Sequence, residues 1–96
     1  MAAYIIADVE ILDSNKYEEY KKLVPQAIAK HGGRYVARGG QTAVLEGDWR
    51  PGRMIVLEFP SLEAARNFYT SIEYTAARRA RAGATKKMNM VVVDGL

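Results

Sequence analysis

The chain has no cysteine, one histidine, one tryptophan and three prolines in 96 residues. Without cysteine there is no disulfide framework, no thiolate nucleophile and no Cys-ligated metal. The single histidine, His31, rules out a His-rich zinc site within one chain. Long apolar runs are missing too, and none approaches the roughly 20 residues a membrane helix needs. The N-terminus, Met-Ala-Ala-Tyr-Ile-Ile-Ala-Asp, has no basic leader segment. A cytoplasmic location is the expectation. What is present is an apolar half (49%) and a mixed charged quarter with net charge +3. That composition suits one globular domain spanning 1–96 and argues against disorder.

Ala3 to Ile11 is rich in Ile, Val and Tyr and reads as a strand. Asp13 and Ser14 offer cap oxygens for a helix carrying Tyr17, Tyr20, Val24, Ala27 and Ile28 at helical spacing. Pro25 predicts a kink or short break, and Gly32-Gly33 the end. Arg34 to Arg38 is a second strand, extended again from Thr42 to Glu46 after a bend at Gly39-Gly40. Residues 47–52 are dense in turn formers. Arg53 to Phe59 is a third strand, stopped by Pro60. Ser61 caps a helix that places Leu62, Ala65, Phe68 and Tyr69 on one face. Ser71 restarts it, and it continues to about Arg81. Met88 to Val93 is the last strand.

The order β-α-β-β-α-β predicts an α+β, ferredoxin-like fold. Its four-stranded, antiparallel-type sheet carries the helices on one face. Strands one and three are expected as parallel neighbours in the centre, with two and four outside. A sheet half covered by helices should alternate apolar and polar residues. These strands do not. Ile5, Ala7 and Val9 oppose Tyr4 and Ile6, Ile55 and Leu57 oppose Met54 and Val56, and Met90 and Val92 oppose Val91 and Val93. One chain has helices for one side only. Burying the other at roughly 25 cal/mol per Å² is worth several kcal/mol, which predicts a homodimer packed sheet to sheet. The plainer alternative is a monomer with an apolar sheet face.

Two acids interrupt that second face, Asp8 on strand one and Glu58 on strand three. With parallel strands they would meet beside a dimer cavity, where crowding raises one carboxyl pKa and suits acid–base work. A structural ion pair or exposed strand ends fit the same residues. Arg34 and Arg38 are expected on one face of strand two, within reach of both acids. His31 ends the first helix, as a proton exchanger or a C-cap. Trp49 stands in a turn, to close over a ligand or to pack. Arg78, Arg79, Arg81, Lys86 and Lys87 form a basic cluster that reads as a solvated helix end rather than a nucleic-acid surface.

His31-Gly32-Gly33-Arg34-Tyr35, Glu46-Gly47-Asp48-Trp49, Glu58-Phe59-Pro60-Ser61, and Tyr69, Ser71 and Glu73-Tyr74 resemble the domain-of-unknown-function family thirteen-thirty. The Tyr4 strand and the Tyr17/Tyr20 helix fit it as well. The resemblance implies the dimeric α/β-barrel superfamily, whose ferredoxin-like subunits pair their sheets around a cavity. Related families there include cofactor-free monooxygenases, isomerases and haem proteins. None of their catalytic residues carries over to this chain.

Two functions follow as expectations. In the first, the homodimer is a cofactor-free enzyme of isomerase or monooxygenase type on a small organic ligand such as a phenol, enol or lactone. Asp8, His31 or Glu58 moves a proton, Arg38 holds an anionic group, and Tyr35 or Trp49 shields the site. In the second, it is a non-catalytic metabolite-binding or stress-related accessory protein. No metal or flavin motif is present, and a lone histidine is slight support for haem, so no cofactor is expected. An RNA-recognition module shares the element order, but strand three lacks its basic-Gly-aromatic signature. Neither nucleic acid nor membrane is expected as a partner.

Overall fold

The computed structural model describes residues 1–96. Its elements are β1 (Ala3–Ile11), α1 (Ser14–Lys30), β2 (Arg34–Arg38), β3 (Arg53–Phe59), α2 (Leu62–Thr70), α3 (Ile72–Ala80) and β4 (Thr85–Asp94). They make a ferredoxin-like α+β fold with sheet order β2-β3-β1-β4. The central pair is β1 and β3, but they run antiparallel, not parallel. The reason is topological. The α1 crossover leaves β2 parallel to β1, and the β2–β3 connection then turns the chain back along β2.

Asp13 caps α1 by accepting from the Asn15 and Lys16 amides. The expected break at Pro25 does not occur, and α1 continues to Lys30. Pro25 lies on the exposed side, where water can satisfy the carbonyl that loses its partner. Ser61 and Ser71 cap α2 and α3 by accepting from the Ala64 and Tyr74 amides. The segment 42–46 is irregular rather than a strand, and residues 40–50 are all exposed.

All three helices cover one side of the sheet. Ile5, Val9, Tyr17, Phe59, Phe68 and Tyr74 belong to one buried core there. Phe68 links its rings, 5.0 Å from Phe59 and 4.5 Å from Tyr74. The register sets Tyr4 opposite Val93 and Glu58, and Ile6 opposite Val91 and Val56, on the other side. No helix covers that side, and Val91 and Val93 remain 60% and 48% exposed. No helix is long and apolar enough to cross a membrane.

Candidate functional site

A cavity lies between α1 and the sheet, on the helix-covered side. Tyr17 and Tyr20 come from α1 because helical spacing points both inward. Tyr74 reaches in from α3, and Tyr35 pairs with Leu57 on the same sheet face. Arg53, Ile55, Met88 and Met90 complete the floor. The space is about 30 Å³, enough for a water. Tyr20 and Tyr74 share a buried hydrogen bond between their hydroxyls at 2.7 Å. Burial pushes the phenols of Tyr17, Tyr20 and Tyr35 above the usual tyrosine value, so all three stay protonated at neutral pH.

Three cations line this space, Lys21, Arg38 and Arg53, and no carboxylate does. Lys21 is paired outside with Glu18 at 3.0 Å. Arg38 is exposed, with its guanidinium 4.3 Å from the Tyr35 ring centroid. Arg53 fills the space beside Gly39, whose left-handed φ of +71° and missing Cβ both suit the position. The Arg53 Nε is buried and has no hydrogen-bond partner.

The expected sharing of one face by Arg34 and Arg38 does not hold. A register shift between Tyr35 and Ala37 puts Arg34 opposite Glu58 and Arg38 opposite Ile55. The bulge flips the alternation, so Arg38 joins the cavity and Arg34 the bare face.

Asp8 and Glu58 do share the helix-free face, but they do not meet. With β1 and β3 antiparallel, Asp8 lies opposite Met54 and Glu58 opposite Tyr4. Four positions at strand rise separate them by about 14 Å. Asp8 is buried. Its Oδ2 accepts from the Trp49 indole N–H at 2.9 Å, and its Oδ1 from the Gly52 amide at 2.8 Å. Lys87 Nζ stands 3.6 Å from Oδ2. The Trp49 and Gly52 hydrogen bonds, then the Lys87 charge, hold the Asp8 carboxyl below its usual range against the cost of burial. Glu58 accepts from Arg34 Nε at 2.6 Å and the Tyr4 hydroxyl at 3.0 Å, and Arg34 chiefly lowers its pKa.

His31 is the C-cap of α1. Its Nε2 lies 3.7 Å from Glu73 Oε1, and its ring packs edge-on to Phe68 at 6.3 Å. It lies outside the cavity lining, as does the largely exposed Trp49. Of the expected site residues, the structure therefore brings Tyr35 and Arg38 together in the cavity and sets Asp8, His31, Glu58 and Trp49 elsewhere. Nowhere do three His, Asp or Glu side chains cluster as metal ligands. The basic run disperses. Arg78 stacks on Tyr69 at 4.5 Å, Arg81 stands 5.3 Å from the Tyr20 ring, and Lys87 reaches Asp8.

The cavity residues that sequence reasoning passed over are Tyr17, Tyr20, Tyr74 and Arg53. Periodicity marks the helix tyrosines as core. The available signal is chemical, since a buried phenol needs a hydrogen-bond partner that Leu or Phe would not.

Among solved structures, a protein of unknown function from Rhodopseudomonas palustris superposes with a TM-score of 0.79 at 18% identity, covering 99% of this chain and 82% of its own. A dimeric ferredoxin-like protein of unknown function from Thermobifida fusca gives 0.66 at 16% identity, covering 99% and 92%. A protein described as a candidate antibiotic biosynthesis monooxygenase from Nitrosomonas europaea gives 0.61 at 15% identity, covering 99% and 90%. At these identities the likeness shows the shared fold. No functionally curated protein matches the chain. Residues 2–96 match the family described as Domain of unknown function (DUF1330), and the chain belongs to that family.

Proposed function

We propose that the chain is a small-molecule-binding homodimer that acts without a cofactor on a planar enol, phenol or lactone, in the cavity between α1 and the sheet of each subunit. The observation that carries this reading is the lining itself, which sets tyrosine hydroxyls beside cations. Protonated phenols donate hydrogen bonds to a substrate oxygen, and a nearby guanidinium favours its ionised form. In this reading Tyr35 and Arg38 contact the substrate. Asp8, Trp49, Glu58 and His31 act by holding the loop and the element ends.

An enol that has given its hydroxyl proton to water and is held there as the enolate has two outlets. A proton taken back from water at carbon gives the keto isomer. Reaction with oxygen, in which a methylene and O₂ become a carbonyl and water, draws its electrons from the substrate alone. The likeness to the Nitrosomonas europaea protein favours the second outlet. The dimer is supported by the uncovered apolar face and by the Thermobifida fusca structure, described as dimeric.

Non-catalytic binding is the second reading. It is favoured by one observation, that no carboxylate or imidazole lines the cavity to serve as an ordinary base.

Incubation with cyclic enols and phenols, in air and under nitrogen, tests the proposal. Product in both atmospheres means isomerisation, and product only in air with matching oxygen uptake means oxygenation. Tyr35→Phe and Arg38→Gln should slow either. Tight binding with unchanged ligand selects the accessory reading, and absence of binding contradicts both.

A further inference from the structure

We propose that Arg53 is the inner anchor of an oxyanion site that takes a planar, charge-delocalised monoanion, a phenolate or enolate, with Arg38 as its movable outer cover. This rests on the reading of the cavity as the ligand site. Arg53 is a permanent cation whose Nε–H is buried and unpartnered, and an unpaired buried donor is costly. No carboxylate lines the cavity to neutralise it; its polar neighbours are two further cations and neutral phenols, of which Tyr17 feels its charge and leaves the Nε unpartnered. Arg81 adds to the same field. It lies over Tyr20, and its Nε is likewise buried without a partner. An anion entering beside Arg53 would gain a charge-assisted hydrogen bond that no protein group makes there.

The remaining walls specify the kind of anion. Ile55, Leu57, Met88 and Met90 are apolar, and the phenols present ring faces and edges. A compact dianion such as phosphate loses more hydration on entering, a cost that mostly apolar walls do not offset. A flat anion with its charge spread over a ring or a conjugated carbonyl suits them, with the methionine sulfurs against its edge.

Entry needs more room than about 30 Å³. The β2 bulge provides for it by turning Arg38 to the cavity side while leaving it exposed. There Arg38 rests on the Tyr35 ring and forms no ion pair, so its departure opens the space at small cost.

The test uses 4-nitrophenol, whose phenolate is yellow and which ionises near neutral pH, with its methyl ether, neutral 4-nitroanisole, as the uncharged comparison. For the intact protein, the phenolate should bind at least about tenfold tighter than the anisole. The ionisation midpoint of the bound phenol should fall by about one pH unit, which is a tenfold preference for phenolate over neutral phenol. Arg53→Gln should abolish both effects, and Arg38→Gln should weaken binding with a smaller change in midpoint. Should Arg53→Gln fail to fold, Arg53→Lys and the unmodified protein's own midpoint decide the matter. Both ligands binding equally, or a midpoint unmoved or raised, overturns the inference and leaves the cavity reading standing. Neither ligand binding overturns both.

Discussion

Asp8 in the middle of the sheet holds Trp49 of the exposed β2–β3 loop by an indole N–H donated to its carboxylate at 2.9 Å. The same carboxylate receives the Gly52 amide at 2.8 Å, so one buried anion fixes the returning arm of the loop. Arg38 and Arg53 stand at the two ends of that loop, and both face the cavity. A single pin on the bare side of the sheet thus steadies the arm that delivers Arg53 to the covered side. Asp8→Ala should cost about 2 kcal/mol, from the lost hydrogen bonds to a charged acceptor. It should also open residues 40–50 to proteolysis. Urea denaturation and limited digestion check both, and an unchanged midpoint with an intact loop would refute the pin.

Acid should release the same pin. The carboxyls of Asp8, Glu58 and Glu73 are all held below their ordinary values, 3.8 for Asp and 4.5 for Glu. The unfolded chain therefore takes up protons first as pH falls. Stability is full above that ordinary range and is lost as pH drops through it toward the lowered folded values. Trp49 is the only tryptophan, so its fluorescence reports Asp8 directly. The emission should hold steady down to the ordinary Asp value and change below it. A transition centred near pH 6 would contradict this assignment.

Alkali acts on the buried phenols with the opposite sign. Burial first, then Tyr74, raises the Tyr20 pKa far above 10.0. The unfolded chain loses that proton near 10.0 and the folded chain does not, so stability falls as pH rises beyond about 10. Tyr74→Phe removes the 2.7 Å hydroxyl pair and should cost about 1 kcal/mol. Ultraviolet titration should show Tyr20 ionising only as the protein unfolds.

Gly33 tests the fit between β2 and the core. A Cβ there would come within 2.5 Å of the Phe59 ring, which is almost fully buried and stacked on Phe68. Gly33→Ala should destabilise by about 2 kcal/mol through overpacking. A thermal melt unchanged from the unmodified protein would show that Phe59 can yield.

The uncovered sheet face predicts a mass. Sedimentation at micromolar concentration should give twice the 10.7 kDa of the chain. Val91→Lys with Val93→Lys places charge on that face and should yield a folded single chain. One chain per particle in the unmodified protein would refute the dimer.

The element order and the caps at Asp13, Ser61 and Ser71 are legible in the sequence because they rest on local chemistry. The apolar second face is legible from failed alternation in β1 and β3. The direction of β3 is not, because burial patterns along a strand say nothing of its sense. A parallel β3 would bring Asp8 and Glu58 together, whereas the antiparallel pairing sets them about 14 Å apart. The bulge after Tyr35 leaves no mark in Arg34–Arg38, yet it decides which arginine enters the cavity. Arg53 reads as nothing more than the first residue of a strand. Its isolation among phenols arises only when α1, β2 and β3 are packed together.

The central claim is that ligand enters between α1 and the sheet, and the four methionines test it with little ambiguity. Met88 and Met90 line the cavity, while Met54 lies opposite Asp8 on the helix-free face. With ¹³C-labelled methionine methyls and 4-nitrophenol titrated in, the resonances of Met88 and Met90 should move together and saturate while Met54 stays still. Movement of Met54 alone would place the ligand on the opposite side of the sheet and contradict the account.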